Sequence, residues 1–206
     1  MAQPAVSTKE KIVLYGGTIA FQWLLAAGVA WRAFARGLTL TELGLVRPLS
    51  VELFLFSFAG ALLFGTLQWF NLRKISRLTG AVPEFMRNLA ARILPLGSVE
   101  LAPYFALAVT AGICEEFLYR GFAMAALARA GIVPWAAVII SSILFGFAHT
   151  YQGRSGVLGT SFMGLVLGVA RIALRSLIPV AIWHSAVDIA AGIAGPKYLL
   201  SVRDIE

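Results

Sequence analysis

LAPYFALAVTAGICEEFLYRGFAMAAL, running from Leu101 to Leu127, is an apolar stretch broken by three charged side chains, Glu115, Glu116 and Arg120. It is longer than the roughly 20 apolar residues that cross a hydrocarbon core about 30 Å thick. Working outward, five further apolar runs occupy about 12–31, 50–70, 133–149, 157–174 and 177–194. They use up most of a 206-residue chain that is 59% hydrophobic and only 13% charged. Soluble domains carry about 25% charged residues, so water is the wrong solvent for this protein. The expectation is an all-α, polytopic transmembrane bundle of about six spanning helices, forming a single integral membrane domain over 1–206.

The connector from Asn71 to Glu100 carries Arg73, Lys74, Arg77, Arg87 and Arg92, and its middle, Glu84 to Leu94, reads as a short amphipathic helix on the membrane surface. A net charge of +7 would suggest nucleic acid in a soluble domain, but these cations cluster between apolar segments. Lipid headgroups are therefore the expected partner, and no nucleic acid is. Placing the N-terminus in the cytoplasm puts ten Lys and Arg inside, among them Lys9, Lys11, Arg154, Lys197 and Arg203, against six outside. That bias gives a multi-pass protein of the cell membrane with its N-terminus cytoplasmic. The run after Lys11 is too long for a signal-peptide core and reads as a retained span. Cys114 is the one cysteine, so it forms no intrachain disulfide. Small residues at Ser142 and Gly146, and at Gly164 and Gly168, have the spacing of close helix packing.

A charge at a helix centre in a membrane costs on the order of 2.5–3.5 kcal/mol, so each needs a reason. Glu116 and Arg120 lie about 40° apart around an α-helix, in the order that favours an ion pair. Glu115 is rotated about 140° from Arg120 and stays free of it. A buried carboxylate without a partner is suited to general acid or base work. Both histidines also fall inside apolar runs, in Phe145-Gly-Phe-Ala-His149 and in His184-Ser-Ala-Val-Asp188. One buried histidine is commonly a satisfied core residue; two, with Glu115 and Glu116 on another helix and Asp188 one turn from His184, are explained more simply by one shared polar site.

Glu115-Glu116-x-x-x-Arg120, Phe145-x-x-x-His149 and His184-x-x-x-Asp188, in that order, resemble the motifs of the CAAX prenyl protease and bacteriocin-processing family of intramembrane glutamic endopeptidases. The likeness covers roughly 101–194, which becomes the expected catalytic core. It implies an endopeptidase in which Glu115, assisted by His149, activates a water, while His184 and Asp188 face the oxyanion. Glu116 and Arg120 would be a brace, with Phe145 in support. No cofactor or metal is expected, and the substrate implied is a peptide or protein, either prenylated or unmodified. The family's eukaryotic prenyl proteases carry Asn where this chain has Asp188, so Asp188 must be protonated or serve only to orient His184.

Three other readings compete. A zinc site would use the same Glu and His side chains, although no His-Glu-x-x-His helix is present. A rhomboid-like serine protease would use Ser155, in Gly153-Arg-Ser-Gly156, with His184; the plainer reading is a turn entering a helix, with Ser155 as its cap. A non-catalytic binding, immunity or transport protein would use the cluster to hold a peptide or ion. Transport predicts a continuous polar path, and outside the cluster the spans offer few polar groups, such as Gln22 and Gln68. Cys114 reads as a small apolar filler. Arg171 and Arg175 either receive a substrate carboxylate or snorkel to headgroups.

Overall fold

The computed structural model describes residues 6–46, 50–78 and 82–200. Arg203, counted in the charge bias, lies outside them. Helices α1 (Thr8–Ala35), α2 (Val51–Leu78) and α3 (Glu84–Ile93) precede α4 (Ser98–Glu116), which passes through a π-helical turn, Phe117–Ala123, into α5 (Met124–Arg129). Then come α6 (Pro134–Ala148), a 3₁₀ turn at Thr150–Gln152, α7 (Gly153–Leu174) and α8 (Ile178–Leu199). No strand occurs among the described residues. All six apolar runs are helical, and α3 matches the expected amphipathic segment to within a residue.

Helix ends follow local chemistry. Ser7 and Glu10 form a capping box at the start of α1, and Pro134 and Pro179 stand in the first turns of α6 and α8, where a missing N–H costs nothing. Gly131, at φ 83°, closes α5 by a Schellman turn in which the Ile132 N–H donates to Leu127 O at 3.0 Å. The 36–46 loop is held by Glu42, whose carboxylate takes Nε and Nη2 of Arg129 at 2.8 and 2.9 Å. Those hydrogen bonds, with the N–H of Thr39, hold the Glu42 carboxyl down to about 2. Arg171 donates to the Glu42 carbonyl at 3.0 Å and so also braces this loop.

Five stretches are long and apolar enough to cross a membrane: α1, α2, α4 through α5, the 3₁₀ turn with α7, and α8. Their outward faces carry exposed Leu24, Phe54, Leu158 and Phe162, as lipid contact requires. The fourth expected span is the exception. Helix α6 has 15 residues, about 22 Å of rise, and stops short of a core about 30 Å thick. Irregular backbone at membrane depth is tolerated only where protein buries it or a water-filled cavity meets it. A 3₁₀ turn follows the end of α6 directly and brings polar backbone close to the apolar helices.

Small residues set the helix distances. A Cβ on Gly112 of α4 would collide with Ser185 Oγ of α8 and lie 2.7 Å from the Ala181 carbonyl. In the α6–α7 hairpin, Gly164 sits against Ser142, Gly168 against Val138 and Gly146 against Ser161, which is the packing role expected of this spacing. On α2, Gly60 admits the indole of Trp183, whose Nε1–H donates to Ser57 O at 3.1 Å.

The N-terminal side of the bundle is locked by a second polar cluster. Lys11, fully buried, donates from Nζ to Leu94 O at 2.8 Å and meets Glu100 at 3.4 Å. Glu100 also accepts from Thr8 Oγ1 and the Leu96 N–H, and Tyr15 donates to Ile93 O at 2.7 Å. The last carbonyls of α3 are thus capped by side chains of α1. Lys11 is an internal tie between α1, α3 and α4, whereas the charge count treats it as a headgroup-facing cation.

Candidate active site

Glu115 and Glu116 close α4, His149 is the residue that ends α6, and His184 and Asp188 lie one turn apart on α8. The helices bring all five together. Glu115 Oε2 is 3.9 Å from Nε2 of His149 and 3.9 Å from Nε2 of His184, and His184 Nε2 is 3.7 Å from Asp188 Oδ2. These separations are too long for direct hydrogen bonds, so the groups face one another across a shared space.

Each imidazole is anchored through its other nitrogen. His149 Nδ1 is 2.8 Å from the carbonyl of Phe145, one turn back in α6. A carbonyl only accepts, so the network assigns the proton to Nδ1 and turns the Nε2 lone pair toward Glu115. His184 Nδ1 is 2.8 Å from Glu116 Oε1. That same oxygen accepts from Arg120 Nη1 at 2.7 Å, and an oxygen that accepts from the guanidinium is the acceptor for Nδ1 of His184 as well. Glu116 therefore does two things: it neutralises Arg120, as the helical spacing predicts, and it orients His184, which that spacing does not reveal.

Phe145 fills the centre. Arg120 Cζ lies 4.4 Å from its ring centroid, a cation–π contact that covers one face of the guanidinium. The rings of His149, Tyr119 and His184 meet Phe145 edge-on at 4.6, 5.1 and 5.7 Å. Arg120, Glu116 and Phe145 are buried to within 2% of full coverage, and both side chains of the Arg120–Glu116 salt bridge are fully buried. Side-chain exposure then rises through His184 (8%), His149 (13%) and Glu115 (17%) to Asp188 (34%). Asp188 stands at the mouth. The gradient separates a fully buried brace from His149, Glu115 and Asp188, which are partly exposed, with His184 between them.

Three neighbours escaped the motif reading. Gln22, in the middle of α1, donates from Nε2 to Glu115 Oε1 at 2.8 Å, so Glu115 is not without a partner. An amide inside an apolar run was the available signal. Tyr104 donates to the Asp188 carbonyl at 3.0 Å, and the ring of Tyr151 lies 5.7 Å from that of His149. The π turn was also unforeseen. It begins immediately after Glu116 and contains Arg120, a position typical of π segments, which concentrate at functional sites.

Ser155 is exposed inside α7, which is entered from Gln152 without a side-chain cap; the expected Ser155 cap does not form. Cys114 is buried, consistent with a filler. It also borders an apolar cleft of about 530 Å³ between α1, α4 and α8, lined by Trp23, Ala26, Ile113, Phe117 and Ile182 among others.

No curated protein and no solved structure matches the chain. The model of one family does: type II CAAX prenyl endopeptidase Rce1-like, over residues 97–190. That interval begins one residue before α4, ends within α8, and holds every residue of the three motifs. The part of this membrane protein that builds the site is thus similar to the Rce1-like type II CAAX prenyl endopeptidases, a family of proteases.

Proposed function

We propose that the protein is an intramembrane glutamic endopeptidase that hydrolyses a peptide bond by direct attack of water. The reading is carried by one observation: Nε2 of two imidazoles, from the end of α6 and from α8, faces the same oxygen, Glu115 Oε2, at 3.9 Å each. A gap of that width suits a shared water better than a direct bond.

In the proposed reaction, water held between Glu115 and His149 gives one proton to Glu115 as its oxygen bonds to the scissile carbonyl carbon. The carbonyl π pair moves onto oxygen. His184 in its imidazolium form, steadied by Glu116 at Nδ1, donates from Nε2 to that oxyanion, and Asp188, protonated, donates beside it. Collapse restores the carbonyl and expels the amine, which takes the proton from Glu115. Because Glu116 already orients His184 through Nδ1, the role left to Asp188 is that of donor at the mouth.

The family and the apolar cleft beside Cys114 support a prenylated peptide as substrate; a cleft of about 530 Å³ is within the size that encloses a small apolar group. The charge bias supports access from the cytoplasmic leaflet. The zinc reading would use the same side chains, Glu115, His149 and His184, and differs in requiring that a strong chelator abolish activity. The whole chain acts as one domain, since α1 and α3 are tied to α4 by Lys11, Tyr15 and Glu100.

Cleavage of farnesylated and unmodified peptides in ¹⁸O-water with hydroxylamine present tests the reaction type. Direct attack gives one ¹⁸O in the new carboxylate and no hydroxamate. A peptide hydroxamate would reveal an acyl-enzyme and overturn the proposal.

A further inference from the structure

The two adjacent glutamates are given different partners. Glu116 is bonded to a cation, Arg120, whereas Glu115 is bonded to a neutral amide, that of Gln22. Gln22 lies on α1, well outside residues 97–190, and its neighbours Phe21, Trp23, Leu24 and Leu25 are large exposed apolar side chains. An amide in such a stretch is costly to bury unless it is hydrogen-bonded, and its one bond reaches across to Glu115 Oε1 at 2.8 Å. Its own oxygen is buried and has no partner among the described residues, so the amide is committed to Glu115 alone.

We infer that Gln22 is a positioning residue for the proteolytic site, holding Glu115 by Oε1 so that Oε2 is presented to His149 and His184. The inference rests on the proteolytic reading given above.

A neutral donor suits this task. An arginine in the place of Gln22 would fix the carboxylate equally well but neutralise it, and a base that is already paired with a cation accepts a proton poorly. The amide orients without supplying charge. It also serves both protonation states. Nε2 donates to Glu115 Oε1 both when the carboxyl is ionised and when it carries the proton from water on Oε2, the oxygen that faces the imidazoles. Helix α1 can hold such a contact because it does not slide: Lys11 and Tyr15 pin it to the α3–α4 junction.

The consequence is that the site is assembled from four helices, one of which the family model does not reach. Residues 97–190 alone lack the group that aims the base.

The test uses the full-length protein in liposomes, with kcat and KM for peptide cleavage measured across pH for wild type, Gln22→Leu, Gln22→Glu, Gln22→His and Glu115→Gln, and melting temperatures in detergent. Gln22→Leu is expected to lower kcat by about 10- to 100-fold, the usual effect of losing a residue that orients a reacting group, with KM changed by less than about twofold. The acidic limb of its kcat/KM profile should move upward, since the anionic base has lost a donor. Gln22→His, whose Nε2–H reaches as far as the glutamine amide, should recover most of the activity. Should Gln22→Leu melt early, Gln22→Glu, of the same size, decides: the inference requires that it too be impaired at neutral pH. Wild-type kcat and pH profile in both variants, with Glu115→Gln inactive, would overturn the role of Gln22 alone. If wild type does not cleave, or Glu115→Gln cleaves as well as wild type, the proteolytic reading fails and the inference falls with it.

Discussion

Glu116 Oε1 is 2.8 Å from Nδ1 of His184 while the same oxygen accepts Arg120 Nη1 at 2.7 Å, so one carboxylate oxygen ties α4 to α8 and sets the direction of an imidazole. The second oxygen of Glu116 and two nitrogens of Arg120 are buried without partners among the described residues, so this brace has little to fall back on.

Removing that carboxylate should therefore cost stability as well as function. Glu116→Ala leaves the Arg120 guanidinium buried and unpaired, a loss of about 3–5 kcal/mol by the measure of other broken buried pairs. Glu116→Gln keeps an acceptor and should lose less stability, yet it removes the ion that supports a charged His184. Thermal unfolding in detergent, read beside activity, separates the two. Equal stability of wild type and Glu116→Ala would contradict this assignment.

Asp188 is the least buried of the site groups and lies beside Nε2 of His184, the nitrogen left free by Glu116. If it donates to the oxyanion, asparagine can do the same without titrating. Asp188→Asn should retain activity and extend it toward higher pH, and Asp188→Leu should lose about 100-fold, as other losses of one oxyanion donor do. A dead Asp188→Asn would show that the carboxylate is needed as an anion.

Gly112 fixes the distance between α4 and α8 three residues before Glu115. A Cβ there meets Ser185 Oγ, which can move, and the Ala181 carbonyl at 2.7 Å, which cannot. Gly112→Val should therefore destabilise the protein by about 1–3 kcal/mol and draw Glu115 away from His184. The second change Ser185→Ala should not restore activity, because the backbone clash remains.

Glu42 provides a prediction about pH. Its carboxyl is held at about 2, below the ordinary value of 4.5, by Arg129 and by Thr39. A group with a depressed folded value stabilises the fold above the ordinary value and loses that contribution as pH falls toward the depressed one. The melting-temperature difference between wild type and Glu42→Gln should be small, because the pair is exposed, and should vanish between pH 4.5 and about 2. A difference that grows on acidification would contradict the pairing.

How much of this was legible in the residue order depends on the range of the interaction. All six apolar runs became helices, because lipid imposes a simple length and polarity rule on each one separately. The motif residues also converge as expected, since Glu115, His149, His184 and Asp188 had no other way to leave the hydrocarbon. What the order did not show are contacts between helices. Lys11 reads as a surface charge, and only the fold brings Glu100 and Leu94 O to it. Gln22 reads as a stray polar group, and only the α1–α4 packing gives it Glu115. The brevity of α6 was hidden for a different reason. Residues 133–149 are apolar enough to span, but the chain leaves helical geometry at His149, so the helix is too short to cross a hydrocarbon core and ends on a histidine.

The most direct measurement is peptide cleavage by purified protein in liposomes, comparing wild type, Glu115→Ala and His149→Ala with and without a strong chelator. The account predicts cleavage by wild type that the chelator leaves unchanged, none by Glu115→Ala, and a severe loss in His149→Ala. Cleavage by Glu115→Ala at the wild-type rate, or wild-type activity that the chelator abolishes and added zinc restores, would contradict it.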